Sequence, residues 1–91
     1  MKTAKQMERH FKGTANHRRI EILIVVAKNR DISLEEITEI LQCNIKTVSE
    51  HTRRLVQAGL LDKRYEGRKV LHALSPYGEI FHAFIRTFQH S

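Results

Sequence analysis

Between Asn44 and Lys69 the chain concentrates the side chains best suited to meeting a polyanion. Lys46, Thr47, Ser49, Glu50, Arg53 and Arg54 alternate with Val48, Thr52 and Leu55, whose i, i+4, i+7 spacing marks one inward stripe of a helix. The outward set joins cations, which pair with phosphates, to hydroxyls that can reach base edges in a duplex groove. Glu50 is unfavourable beside a phosphate, so it either accepts from a cytosine amine or positions Arg53 or Arg54. His51 can hydrogen-bond locally or to a phosphate. A basic hairpin follows: Lys63 and Arg64 on one arm, Arg68 and Lys69 on the other, turning through Glu66-Gly67. Arg68, at its tip, is placed to enter or border a minor groove, where narrow A·T tracts attract arginine. The candidate contacts to double-stranded DNA are therefore Lys46, Thr47, Ser49, Glu50, His51, Arg53, Arg54, Arg64, Arg68 and Lys69.

Other chemistries find little support. There is no Gly-rich phosphate loop, no nucleophile paired with a base and no carboxylate cluster, so no enzyme is expected. Glu79 and His82, at i, i+3, share a helix face. Zinc needs about three or four ligands at fixed geometry, and this pair alone does not make a site; no metal or other cofactor is expected. His10 and His17 flank basic residues and could add charge toward DNA as pH falls. His72 reads as a packed strand residue, and the single cysteine, Cys43, as a small packed hydrophobe.

Positioning these groups requires a succession of short elements. Residues 3–12 form an amphipathic helix with Ala4, Met7 and Phe11 on one stripe, stopped by Gly13. Thr14 or Asn16 caps a second helix to about Lys28, apolar nearly all round from Ile20 to Ala27 and broken only by Glu21. Such a helix cannot turn one face to water, and in a chain this small part of it must meet another subunit. Ile22, Val25 and Val26 are the expected contributors. Ser33-Leu34-Glu35-Glu36 is a capping box that starts a helix to about Gln42, with Leu34, Ile37, Ile40 and Leu41 inward. Ile32 can pair with the strands that come later. A Cys43-Asn44 turn leads into the polar helix, capped by Asn44 and ended by Gly59. Strands follow at about 61–65 and 69–74. Ser75-Pro76 opens a last helix carrying Tyr77, Phe81, Phe84 and Phe88 at i, i+4, i+7, i+11, an aromatic stripe assigned to a dimer interface. The order is helix-helix-helix-helix-strand-strand-helix, mainly α with a small β-hairpin: a winged helix-turn-helix. One domain, 1–91, comprises a helical arm (1–13), the helix-turn-helix and wing (14–75) and a dimerisation helix (76–91).

Charge follows this division. The net charge is +6. Residues 1–19 hold six basic groups against one acid, residues 44–69 seven against three, and residues 31–43 four acids and no base. One face of the molecule is thus set to meet phosphate. No apolar run is long enough to span a bilayer, no apolar stretch follows Met1 as a secretion signal would, and one cysteine fits a reducing cytoplasm.

Thr47-Val48-Ser49-x-His51, Leu55, Ala58-Gly59-Leu60-Leu61 and Glu66-Gly67-Arg68-x-Val70 together resemble the core of the ArsR (SmtB-like) repressors, over residues 14–75 or so. The Thr47-Val48-Ser49-x-His51 and Ala58-Gly59-Leu60 pieces are shared with other winged-helix regulators such as the MarR-like group; the Glu-Gly-Arg turn at this distance tilts toward ArsR. The resemblance implies a small homodimer that sits on a palindromic operator as a repressor, often released by a ligand. It also exposes a departure. Metal-sensing members carry a Cys-x-Cys pair on the helix before the recognition helix, where this chain reads Leu34-Glu35-Glu36-Ile37-Thr38. Others use paired ligands on the last helix, a pattern that Glu79, His82 and His90 match incompletely. The alternative to a regulator is a winged-helix module that docks proteins through its aromatic helix.

Overall fold

Every helix starts at a side chain able to accept from a free backbone N–H. Thr3 accepts from Gln6, whose amide returns the bond; Asn16 accepts from Arg18; Ser33 and Glu36 close a capping box; Asn44 accepts from Lys46; Ser75 accepts from Gly78, with Pro76 in the first turn. Each such cap stabilises its helix by about 1 kcal/mol. The computed structural model describes residues 1–91. Its elements are α1 (Ala4–Thr14), α2 (His17–Lys28), β1 (Ile32–Ser33), α3 (Leu34–Leu41), α4 (Ile45–Gln57), β2 (Leu61–Glu66), β3 (Lys69–Leu74) and α5 (Pro76–Gln89).

The two wing strands are antiparallel, with Leu61 opposite Leu74 and Glu66 opposite Lys69. Ile32 and Ser33 form a third strand, β1, paired to His72 and Leu71, so the sheet order is β1-β3-β2. The expected pairing of Ile32 is present. It places β3 in the middle of the sheet and leaves β2 as an edge, exposed from Asp62 onward. Charged edges of this kind resist strand-to-strand association.

One core serves the whole chain. Ile22, Leu23, Val26, Ile37, Val48, Leu55, Leu60 and Leu61 are at most 2% exposed. This corrects the subunit-contact assignment made for Ile22, Val25 and Val26, which are buried among the chain's own α3, α4, α5 and wing base. Another stripe of the same helix is not closed: Ile20, Ile24 and Ala27 remain partly exposed, Ile20 on the floor of an open hollow.

The first helix also departs from its sequence pattern. Its apolar stripe faces out, with Met7 42% and Phe11 55% exposed, and the buried side is His10 and Gly13. Gly13 does not stop the helix. It is where α1 meets Ala58 so closely that an added Cβ would overlap the Ala58 methyl. Ile40 is likewise exposed rather than inward. No helix is long and apolar enough to cross a membrane.

Candidate nucleic-acid interface

The α4 helix is held along one side and at its end. Val48, Thr52 and Leu55 are buried, as their spacing predicts. At the entry, the turn from α3 bends through Gln42, whose φ of 54° is left-handed, and its side-chain amide donates to the Glu39 carbonyl at 2.9 Å. At the exit, Gly59 takes φ 78°. The carbonyls left free by the last turn of a helix need donors, and α1 supplies two residues for them. The Arg9 guanidinium donates to the Gln57 carbonyl through Nε at 3.1 Å and Nη2 at 2.6 Å. His10 Nδ1 donates to the Ala58 carbonyl at 2.7 Å. His10 is therefore a buried docking residue, its ring 4.9 Å from that of Tyr77, and does not face outward as its basic neighbours suggest. Nothing local in the sequence announces a contact across 48 residues.

This leaves Lys46, Thr47, Ser49, Glu50, Arg53 and Arg54 together on the exposed side of α4. Glu50 resolves its two alternatives from the sequence by binding both arginines: Oε1 accepts from Arg53 Nη2 at 2.7 Å and from Arg54 Nε at 3.1 Å. The Arg53 and then the Arg54 hydrogen bonds hold its carboxyl below the usual range, so at neutral pH the trio carries one net positive charge and two oriented guanidinium groups. His51 turns the other way. Its Nδ1 accepts from Arg19 Nε at 3.3 Å, and burial, then the Arg19 charge, lowers its pKa. Arg19 also donates to the Lys12 and Gly13 carbonyls at the end of α1, so His51 joins α4 to the α1–α2 corner.

In the wing, Arg64 donates to Glu66 at 2.8 Å and lies 3.5 Å from Asp31. Its charge is paired within the chain while the side chain stays exposed. Arg68 and Lys69, directly after Gly67 at φ 62°, are exposed and carry no ion pair. The recognition helix and the wing thus present Lys46, Arg68 and Lys69 as unpaired cations, beside Arg53 and Arg54 held by Glu50.

Under the wing lies His72, 3% exposed, opposite Lys63 in the strand register. Burial is the main reason its pKa falls below the ordinary value of 6.5. The unfolded chain therefore binds a proton that the native state refuses. Stability from this group is complete above about pH 6.5 and is lost as pH falls toward the folded-state value. Unfolding free energies from urea titrations at pH 7.5 to 5.5 should decline, by at most about 1.4 kcal/mol per pH unit for one histidine. His72→Gln should flatten the dependence; an unchanged slope would exclude His72 as its source.

The last helix separates its stripe into two roles. Tyr77 packs on His10 with the Lys2 ammonium 4.0 Å from its ring centroid, and Phe81 meets Phe11 edge-on at 5.4 Å. Phe84 and Phe88 contact each other at 4.9 Å but remain 53% and 65% exposed, beside Ile80 at 64%. With Phe11 they border a hollow of about 410 Å³ floored by Ile20 and Ile85. His82 is half-buried in a separate cleft with Lys28, Arg86 and His90. Two permanent cations beside it oppose a metal dication, and Glu79 is exposed on the adjoining turn.

Solved structures share this arrangement. The homodimeric winged helix-turn-helix DNA-binding domain Mb0332 of Mycobacterium bovis, a possible ArsR-family transcriptional regulator, is 25% identical with a TM-score of 0.84, over 94% of this chain and 80% of that one. Reduced HlyU of Vibrio cholerae is 26% identical with a TM-score of 0.80, over 96% and 88%. FabT of Streptococcus pneumoniae, solved in complex with DNA, matches in fold alone at 19% identity and a TM-score of 0.75, over 79% and 52%. No curated protein matches the chain. The family model described as HVO_A0114 matches residues 14–82, from the end of α1 through the first two turns of α5. The chain therefore belongs to the HVO_A0114 family, and its architecture is the ArsR-type winged helix-turn-helix without the metal-binding cysteine pair.

Proposed function

We propose that the chain is a sequence-specific DNA-binding transcriptional regulator that acts as a homodimeric repressor on a palindromic operator. The observation that carries this is the joint exposure of a basic, hydroxyl-bearing α4 face and a cationic wing tip on one folded frame. The fold likeness to Mb0332 and HlyU supports it. The dimer reading rests on Phe11, Ile80, Phe84 and Phe88, which form a contiguous exposed apolar face of the kind that marks association. Repression follows from occupancy of the operator, which excludes polymerase. Two recognition helices meeting the same side of the duplex require half-sites centred about 10–11 base pairs apart or a multiple of that.

Helix and wing divide the work. Lys46 and Ser49 lie in the first turns of α4, where side chains reach base edges. Replacing either with alanine should cost about 1–3 kcal/mol on the preferred operator and much less on random DNA. Arg68→Ala with Lys69→Ala should weaken all sequences alike and flatten the salt dependence by about one unit of slope per lost phosphate contact. Titrations on operator and scrambled DNA at several salt concentrations separate the two. The roles are reversed if the wing variant loses only operator binding while the α4 variants lose both equally.

A further inference from the structure

Between the recognition helix and the wing lies a cleft of about 160 Å³. Ser49, Thr52, Arg53 and Val56 of α4 form one wall, and Lys63, Tyr65, Val70 and His72 of the wing form the other, with Leu34 at the side. Several polar groups around it are unspent, while the Thr52 hydroxyl is taken by the Ser49 carbonyl at 2.9 Å. His72 is almost completely buried, yet its Nδ1 has no hydrogen-bond partner. A buried polar atom without a partner costs about 1–3 kcal/mol, and atoms left so in folded proteins call for an explanation such as a bound group. The Ser49 and Tyr65 hydroxyls make no bond within the chain, and Lys63 has no carboxylate partner. Arg53 reaches the same space while tethered to Glu50. The only acid bearing on His72 is Glu35 of α3, set against Lys63. Three apolar side chains, Leu34, Val56 and Val70, complete the lining. Cations, hydroxyls and an imidazole interspersed with branched aliphatics match a small organic anion: a carboxylate on a compact apolar body. Ligand sites of this character, mostly apolar with a few convergent polar groups, are the usual form, though this cleft is small enough to admit only a ring-sized molecule.

We propose that this cleft is a binding site for a small monocarboxylate, and that its occupancy excludes DNA. The exclusion rests on the regulator reading above: a ligand wedged here engages Ser49 and Arg53, two of the side chains assigned to the operator, and fixes the gap between α4 and the wing. The binding itself does not depend on that reading.

Benzoate is a suitable probe, with nine heavy atoms, one charge and a flat apolar ring. For a ligand of this size an affinity around the millimolar range is expected. The isotope-labelled full chain, without DNA, is titrated with sodium benzoate, with matched sodium chloride and with benzyl alcohol, and followed by amide and imidazole NMR. Saturable shifts at Ser49, Thr52, Lys63, Val70 and the His72 ring, with benzoate alone, support the site. No saturation, an equal response to benzyl alcohol, or shifts centred on Phe84 and Phe88 would overturn it. Val70→Phe, which fills the cleft, should abolish these shifts. Lys63→Ala, at an exposed position with little risk to folding, should weaken them tenfold or more; full retention by both variants also overturns the site. A second arm measures DNA affinity with and without saturating benzoate. A fall in the natural chain that Val70→Phe escapes supports exclusion, and undiminished binding overturns it. A chain that takes benzoate but binds no DNA even without it leaves the cleft standing and removes the regulator reading instead.

Discussion

Phe84→Glu combined with Phe88→Glu is expected to yield a folded monomer that has lost nearly all operator affinity. Both rings are more than half exposed within the protomer, so the core of Ile22, Leu23, Ile37, Leu55 and Leu60 does not depend on them. Two carboxylates placed in an apolar subunit contact would have to be desolvated without partners, a cost of several kcal/mol per charge that the contact cannot offset. A single winged-helix unit then binds one half-site alone. It forfeits the effective concentration that makes the second half-site contact nearly intramolecular, an advantage of about 10²–10⁴ in apparent affinity. Sedimentation at micromolar concentration and a gel shift on a two-half-site operator read the two consequences. A double variant that stays dimeric would place the interface elsewhere. Ile22→Glu should behave differently, unfolding the protomer, because that side chain is fully enclosed.

Gly78→Ala is expected to be the most damaging single methyl in the molecule. Gly78 is buried in the first turn of α5, and a Cβ there would overlap the Leu60 carbonyl oxygen. That carbonyl accepts from the Ser75 N–H at 3.1 Å, and Ser75 Oγ in turn accepts from the Gly78 N–H at 3.0 Å and donates to the Gly59 carbonyl at 2.6 Å. The colliding atoms are backbone, so relief requires moving α5 away from the end of the recognition helix and breaking this knot of bonds. A loss of about 3 kcal/mol or more is expected, roughly 12–24 °C in melting temperature for a chain of this length. Gly67→Ala is the fitting comparison. It occupies a left-handed turn with nothing within 4 Å, so only conformational strain opposes the methyl, about 1 kcal/mol. Equal losses at the two glycines would show that the close approach at Leu60 is relieved cheaply.

The sequence discloses local structure better than it discloses contacts. Caps, the inward stripe of α4 and the wing turn each depend on residues within one or two turns of each other, and all are present as their types predict. The exposed cations of the recognition helix follow from the same periodicity. What escapes is set by distance along the chain. Whether Ile22 meets its own core or a partner's depends on how α3 and α4 wrap α2, and no pattern within α2 records that. The reversed orientation of α1 has a similar cause: His10 and Gly13 are buried because Ala58 and Tyr77 lie opposite, although Met7 and Phe11 are the more apolar pair. His51 and Arg64 keep the residue types expected at a DNA surface, but His51 is bonded to Arg19, and Arg64, still exposed, is paired with Glu66 and Asp31.

The docking of α1 onto the end of α4 bears on how such a protein can change its target over time. Arg9 and His10 grip main-chain oxygens of Gln57 and Ala58, and those oxygens are the same whatever side chains α4 displays. The inward grip uses only Val48, Thr52 and Leu55. Lys46, Thr47, Ser49 and Arg53 can therefore be exchanged without loosening the scaffold, and a new operator can be acquired by a few surface changes while the mounting of the helix stays fixed. The reading head is replaceable because its bracket holds the backbone.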